Sequence, residues 1–151
     1  MSPDPISSDA KRERVKSMGA DHLINYKEVE AWGPKALELT GGRGVDCVVE
    51  IGGAGTLDQS MLATWVGGHV ALIGVLAGFT VPVQTALPFS KNLTVQRLTV
   101  GRRSMQQDMI AAIEANGIKP VISDTFALAG LADAFRHQES GSHFGKMALE
   151  I

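Results

Sequence analysis

The stretch from Gly44 to Thr56, Gly-Val-Asp-Cys-Val-Val-Glu-Ile-Gly-Gly-Ala-Gly-Thr, limits what this chain can fold into more than any other. Val45, Cys47, Val48, Val49 and Ile51 make a nearly continuous apolar run bounded by glycines. A strand with one wet face alternates apolar and polar side chains. A continuous run suits a strand covered on both faces, as in the middle of a parallel sheet. Gly52-Gly53-Ala54-Gly55 then lets the backbone turn tightly beside a close neighbour. Thr56 can cap a helix, with Gln59 three residues on to complete a capping box. Strand, glycine turn and helix form the unit whose carboxyl edge receives ligands in open α/β sheets.

The rest of the chain repeats that grammar. Residues 1–6, with two prolines, read as a disordered start. A helix is expected over 9–18, ended by Gly19, with Lys11, Arg12, Arg14 and Lys16 crowded into so short a segment. Cations near a helix N-terminus oppose its dipole, which fits either an anionic ligand or a solvated face. A short strand over 22–26 precedes a helix over 28–39, with Val29, Trp32, Ala36 and Leu37 inward and, at Gly33-Pro34, either an irregular first turn or a later start at Pro34. The helix after the central strand should run to about Trp65, and His69 to Val75 should be a second apolar strand. Two helix-linked strands imply a right-handed parallel crossover.

Residues 76–91 read as a long loop, and Leu93 to Val100 as an edge strand. A helix over 105–116 should turn Met109, Ile110 and Ile113 inward. A strand over 124–128 precedes a last helix over 130–138 with Leu131, Ala134 and Phe135 inward, and a strand over 146–151 ends the chain. The fold class is α/β.

With 151 residues the chain can bury a sizeable core. A charge of −2 gives no reason to expect a nucleic-acid partner, and no apolar run is long enough to span a bilayer. Cytoplasm is the default location. The single cysteine, Cys47, reads as a buried structural thiol rather than a reactive one. His22, His69, His137 and His143 include no pair at metal-ligand spacing, and read as surface or capping residues. Glu50, late in an apolar strand, must be paired or protonated there. It reads as structural, a partner for backbone or for a ribose.

One ordered series then stands out. It comprises Ser7-Ser8-Asp9-Ala10-Lys11, Met18-Gly19-Ala20-Asp21-His22-Leu23-Ile24-Asn25-Tyr26, Thr40-Gly41-Gly42-Arg43-Gly44-Val45-Asp46, Glu50-Ile51-Gly52-Gly53, Gly67-Gly68-His69-Val70-Ala71-Leu72-Ile73-Gly74 and Phe144-Gly145-Lys146. The series resembles the cofactor domain of medium-chain dehydrogenases/reductases, the superfamily of zinc-type alcohol dehydrogenases and quinone reductases. The resemblance runs from Ser7 to Ile151 and implies a Rossmann-like doubly wound parallel sheet over 7–151. It also implies that the family's catalytic domain, first strand, Gly-rich pyrophosphate loop and first helix have no counterpart here. The sheet would then be incomplete, and the missing N-terminal half a partner.

Residues matching the family's cofactor contacts carry over singly. Ser7, Ser8 and Lys11 match the adenosine ribose or its 2′-phosphate, which favours NADP, with NAD the alternative. Gly52 and Gly53 match the turn beside the cofactor ribose. Gly74, Val75 and Leu76 match the backbone along the nicotinamide, Asn92 the segment at the nicotinamide end, and Phe144, Gly145 and Lys146 a late cofactor contact. The resemblance implies no catalytic residue and no zinc in this chain, and a homodimer joined through Leu93 to Val100. Two functions are consistent with it. One is the cofactor-binding portion of an NAD(P)-dependent oxidoreductase, inactive without its catalytic domain; the other is a stand-alone module that binds a nucleotide or dimerises.

Overall fold

The structure, a computed structural model, describes residues 3–6, 9–80 and 82–151, with side chains from Lys11 onward. The chain divides into two compact units, 1–99 and 100–151. In the first, strand β1 (Pro3–Ile6) leads to helix α1 (Asp9–Ser17), β2 (His22–Asn25), α2 (Trp32–Leu39), β3 (Val45–Glu50), α3 (Leu57–Ala63), β4 (Thr64–Leu72), α4 (Ala86–Ser90) and β5 (Thr94–Arg97). In the second, α5 (Arg103–Ala115) precedes β6 (Ile122–Ala127), a 3-10 turn (Leu128–Gly130), α6 (Leu131–Glu139) and β7 (Lys146–Glu150). Among the described residues every strand pairing is parallel, in three sheets of order β1-β2, β3-β4-β5 and β6-β7. This is the α/β, Rossmann-like arrangement that the alternation of apolar strands and helices dictates.

Two small cores hold the first unit. Ile24 of β2 packs with Trp32 and Ala36 of α2 and Ala63 of α3, with Val29 and Leu39 at the margin. Leu57 and Met61 of α3 pack on Val70 of β4, with Val48, Leu87 and Leu93 around them. Met61 and Val70 are wholly buried, worth about 2 kcal/mol each on transfer from water.

Several expectations need correction. Pro3–Ile6 is a strand, not a disordered start: it pairs with β2 in the register Pro3↔His22, and proline's fixed φ suits extended backbone. Helix α2 starts at Trp32, later than residue 28 but ahead of Pro34, and takes Gly33-Pro34 into its first turn. The capping box at Thr56 does not form. The Thr56 hydroxyl donates to Glu50 instead, and the Gln59 Oε1 accepts from the Gly33 N–H at 2.8 Å. Helix α3 stops at Ala63 rather than running on to Trp65. Strand β4 begins at once, well before His69, because Thr64 is already extended. The irregular register between Val45↔Thr64 and Cys47↔His69 absorbs the difference.

The long loop contains α4. Cys47 is exposed, as are Val49 and Ile51, so β3 is not covered on both faces. Met109 and Ile110 are exposed on α5, and Leu131 and Phe135 on α6, where only Ala134 is buried. The edge position expected of β5 is observed, with all four of its residues exposed.

Candidate functional site

The carboxyl ends of β3 and β4 lie side by side, Glu50 opposite Leu72. Each strand runs into a glycine turn, and the two turns are stitched together. Glu50 O accepts from the N–H groups of Ile73 (2.8 Å) and Gly74 (3.3 Å). Ile51 O accepts from Leu76 N–H at 3.1 Å, and Gly52 O from Ala77 N–H at 2.7 Å. Ala54 N–H returns the contact to Gly78 O at 3.3 Å. Such close approach excludes side chains. A Cβ on Gly74 would lie 2.6 Å from Ile51 O; one on Gly53, at φ +78°, would lie 2.9 Å from both Gly78 O and Val75 Cα.

The Glu50 side chain is the clamp. It is 3% exposed, and its Oε1 accepts from Gly52 N–H (2.6 Å), Gly53 N–H (2.9 Å) and the Thr56 hydroxyl (2.5 Å). The Ser60 hydroxyl donates to Oε2. Four donors from the turn and from α3 therefore meet one buried carboxyl, which is how such a group is tolerated away from water. The expectation that Glu50 is a backbone partner holds. Thr56 and Ser60 were not singled out in the sequence as its partners. Their spacing of four, one helical turn, was the available signal that both face the same acid.

The structure brings Gly52, Gly53, Gly74, Val75 and Leu76 together at this edge. It sets Asn92 apart. Asn92, at φ +51°, immediately precedes Leu93 and β5, and β5 runs parallel to β4 with Thr94 opposite His69. Asn92 thus lies at the amino end of the sheet, whereas the glycine turns lie at the carboxyl end. Lys11 is on α1. Ser7 and Ser8 fall outside the described residues. Phe144, Gly145 and Lys146 belong to the second unit, where Lys146 opens β7 and its N–H donates to Val121 O at 2.8 Å.

Lys91 is the other residue that sequence reasoning undervalued. Its Nζ donates to the carbonyls of Met61 (3.2 Å), Leu62 (2.6 Å) and Thr64 (2.8 Å), the acceptors that a helix end leaves open. Burial holds its pKa below the usual lysine range. In the second unit, Asp124 receives the Ser123 hydroxyl at 2.6 Å and meets His137 Nε2 at 3.2 Å. Those two contacts, the serine's first, hold its carboxyl below the usual range. Among the described residues no three of His, Cys, Asp or Glu gather to hold a metal ion. No helix among them is long and apolar enough to cross a membrane.

Comparison with known proteins accounts for this arrangement. The zinc-binding dehydrogenase family model matches residues 18–149. A zinc-type alcohol dehydrogenase-like protein of Schizosaccharomyces pombe is 39% identical over 96% of this chain and 43% of its own length. The structure of an NAD-dependent alcohol dehydrogenase superimposes with a TM-score of 0.85 at 30% identity, over 99% of this chain and 43% of that one. A mycobacterial protein solved with NADPH gives 0.81 at 26% identity, over 99% and 49%. The chain spans less than half the length of each of these proteins. It belongs to the zinc-binding dehydrogenase family, and corresponds to the C-terminal, cofactor-binding part of the medium-chain dehydrogenases/reductases.

Proposed function

We propose that this chain is the nicotinamide-dinucleotide-binding portion of an oxidoreductase of the alcohol dehydrogenase and quinone reductase kind. It takes NADP in preference to NAD, and turns over substrate only together with a catalytic part like that in the remaining length of its relatives. The observation that carries the reading is the pair of interlocked glycine turns at the carboxyl ends of neighbouring parallel strands, where open α/β sheets bind ligands. The two relatives described with NAD and NADPH support the cofactor class. When bound, the nicotinamide supplies the hydride chemistry.

The chain's own residues supply position. Gly52 and Gly53 form the turn beside the ribose, but the space a side chain would fill there is taken by Thr56, Val75 and Gly78, and their N–H groups are held by Glu50. The turn therefore contributes shape rather than hydrogen bonds. Val75 and Leu76, both exposed, present apolar side chains to the ring. Ser7, Ser8 and Lys11 take the adenosine ribose and its 2′-phosphate, with basic α1 favouring the extra charge. Asn92 is left out of this set by its place at the amino end of the sheet.

Titrating the purified chain with NADPH and NADH, and following its melting temperature, tests the proposal. NADPH should raise the melting point at lower concentration than NADH. At a hundredfold excess over Kd the gain is about 2.7 kcal/mol, because only the native state binds. No shift with either cofactor at millimolar concentration would overturn the proposal. Alcohols, aldehydes and quinones should show no turnover with this chain alone.

A further inference from the structure

The two glycine turns leave no slack between them. A Cβ on Gly78 would lie 3.2 Å from that of Ala54, and one on Gly55 3.0 Å from that of Ala77. The hydrogen bonds between the turns end on Glu50 O, Ile51 O, Gly52 O and Ala54 N–H. A shift of residues 50–54 therefore carries Val75 and Leu76 with it. What fixes 50–54, in turn, is α3, anchored in the core by Leu57 and Met61. Gly53 O accepts from the N–H groups of Thr56 (3.1 Å) and Leu57 (3.0 Å) at the start of that helix. The side-chain link is the Glu50 carboxyl, which joins Thr56 and Ser60 on the helical side to Gly52 and Gly53 on the turn.

We propose that Glu50 is a positioning residue for the cofactor. Through 50–54 it sets where Val75 and Leu76 meet the nicotinamide end, itself touching neither cofactor nor substrate. This role rests on the nicotinamide-dinucleotide reading above. The chemistry of the acceptor accounts for the side chain. Oε1 draws Gly52 N–H, Gly53 N–H and the Thr56 hydroxyl to one point, and an oxygen that only accepts suits converging donors. Glutamine keeps that acceptor, and its amide N–H can donate to Ser60, whose hydroxyl then turns to accept. Alanine removes the acceptor and frees the turn from the side chains of α3. The cofactor reading gives the adenosine end to other residues, Ser7, Ser8 and Lys11. Loss of Glu50 therefore falls on one end of the dinucleotide only.

The test uses the full chain. Amide hydrogen exchange is followed without cofactor, and affinity is measured for NADPH and for 2′,5′-ADP, which carries the adenosine end alone. Glu50→Ala should speed exchange of the Leu76 and Ala77 amides and leave 2′,5′-ADP affinity unchanged. It should weaken NADPH binding by about tenfold, a 1.4 kcal/mol effect. Glu50→Gln should keep the slow exchange and hold NADPH affinity within about threefold of the unsubstituted chain. Should Glu50→Ala not fold, Thr56→Val carries the test, with nearly the same shape and one donor fewer. Its expected result is faster exchange at Leu76 and Ala77, NADPH weakened by about threefold and 2′,5′-ADP unchanged. A merely structural role would weaken both ligands alike, and that result overturns the proposal. Exchange at Leu76 and Ala77 that ignores these substitutions also overturns it, as does a Glu50→Gln chain that binds NADPH as weakly as Glu50→Ala. Failure of the underlying reading is distinct: the unsubstituted chain then binds no NADPH, and the role falls with it.

Discussion

Ser60→Ala removes one of the four donors that meet Glu50 and leaves a buried carboxyl oxygen short of its partner. The expected loss is about 1–3 kcal/mol, the range for an unsatisfied buried group. Urea denaturation measures it, and a change no larger than that of an exposed serine such as Ser104 would show that the clamp contributes nothing. Asp124 makes the opposite kind of case, a carboxyl on the surface whose neighbours favour its charge. Its folded pKa lies below the unfolded one, so its contribution is present above the usual carboxylate range and fades as pH falls through the lowered value. Asp124→Asn should therefore lower the melting point at pH 7, and the two melting curves should converge in acid, below a pH of about 4. A gap that stays constant with pH would rule out ionisation as its source.

Among the elements, α3 shows how a distant side chain can decide a boundary. Lys91 gathers three carbonyls at the end of α3 and favours the negative pole of the helix. Lys91→Met should cost roughly 1–3 kcal/mol and speed amide exchange around the last turn of α3. Lys35→Met, which breaks an exposed ion pair with Glu38, should cost no more than about 1 kcal/mol. Equal effects from both would remove the capping role. The same contact explains a limit of sequence reading. The strand β3 was legible because its apolar run and bounding glycines are local signals. The end of α3 was not, because nothing near Ala63 announces Lys91, which arrives from a distant loop. Pro3–Ile6 was missed for the same reason, since its order comes from pairing with β2. The inward face assigned to α5 failed differently: its apolar spacing is helical, but no residue of that helix is buried within its unit.

At the scale of the molecule, the glycine turns of the candidate site were legible, whereas their clamp was legible only as an unsolved acid. A run such as Gly52-Gly53 states that something comes close; it does not state that Val75 and Gly78 are what come. The edges of the sheet are the larger-scale counterpart of those open groups. One edge, β3, borders a cavity; the other, β5, faces outward with all its residues exposed. A flat exposed edge invites pairing with another chain. A two-fold dimer is the simplest closed form such pairing takes, because the same strand serves both copies. We propose that two copies join through β5. Sedimentation should then show a dimer at micromolar concentration, with amide exchange at Thr94–Arg97 slowing as concentration rises. Val95→Lys places like charges near the two-fold axis and should shift the equilibrium toward monomer, with cofactor-induced stabilisation per chain unchanged. A monomer at all concentrations, or a dimer indifferent to Val95→Lys, would mean that β5 is not the joining edge.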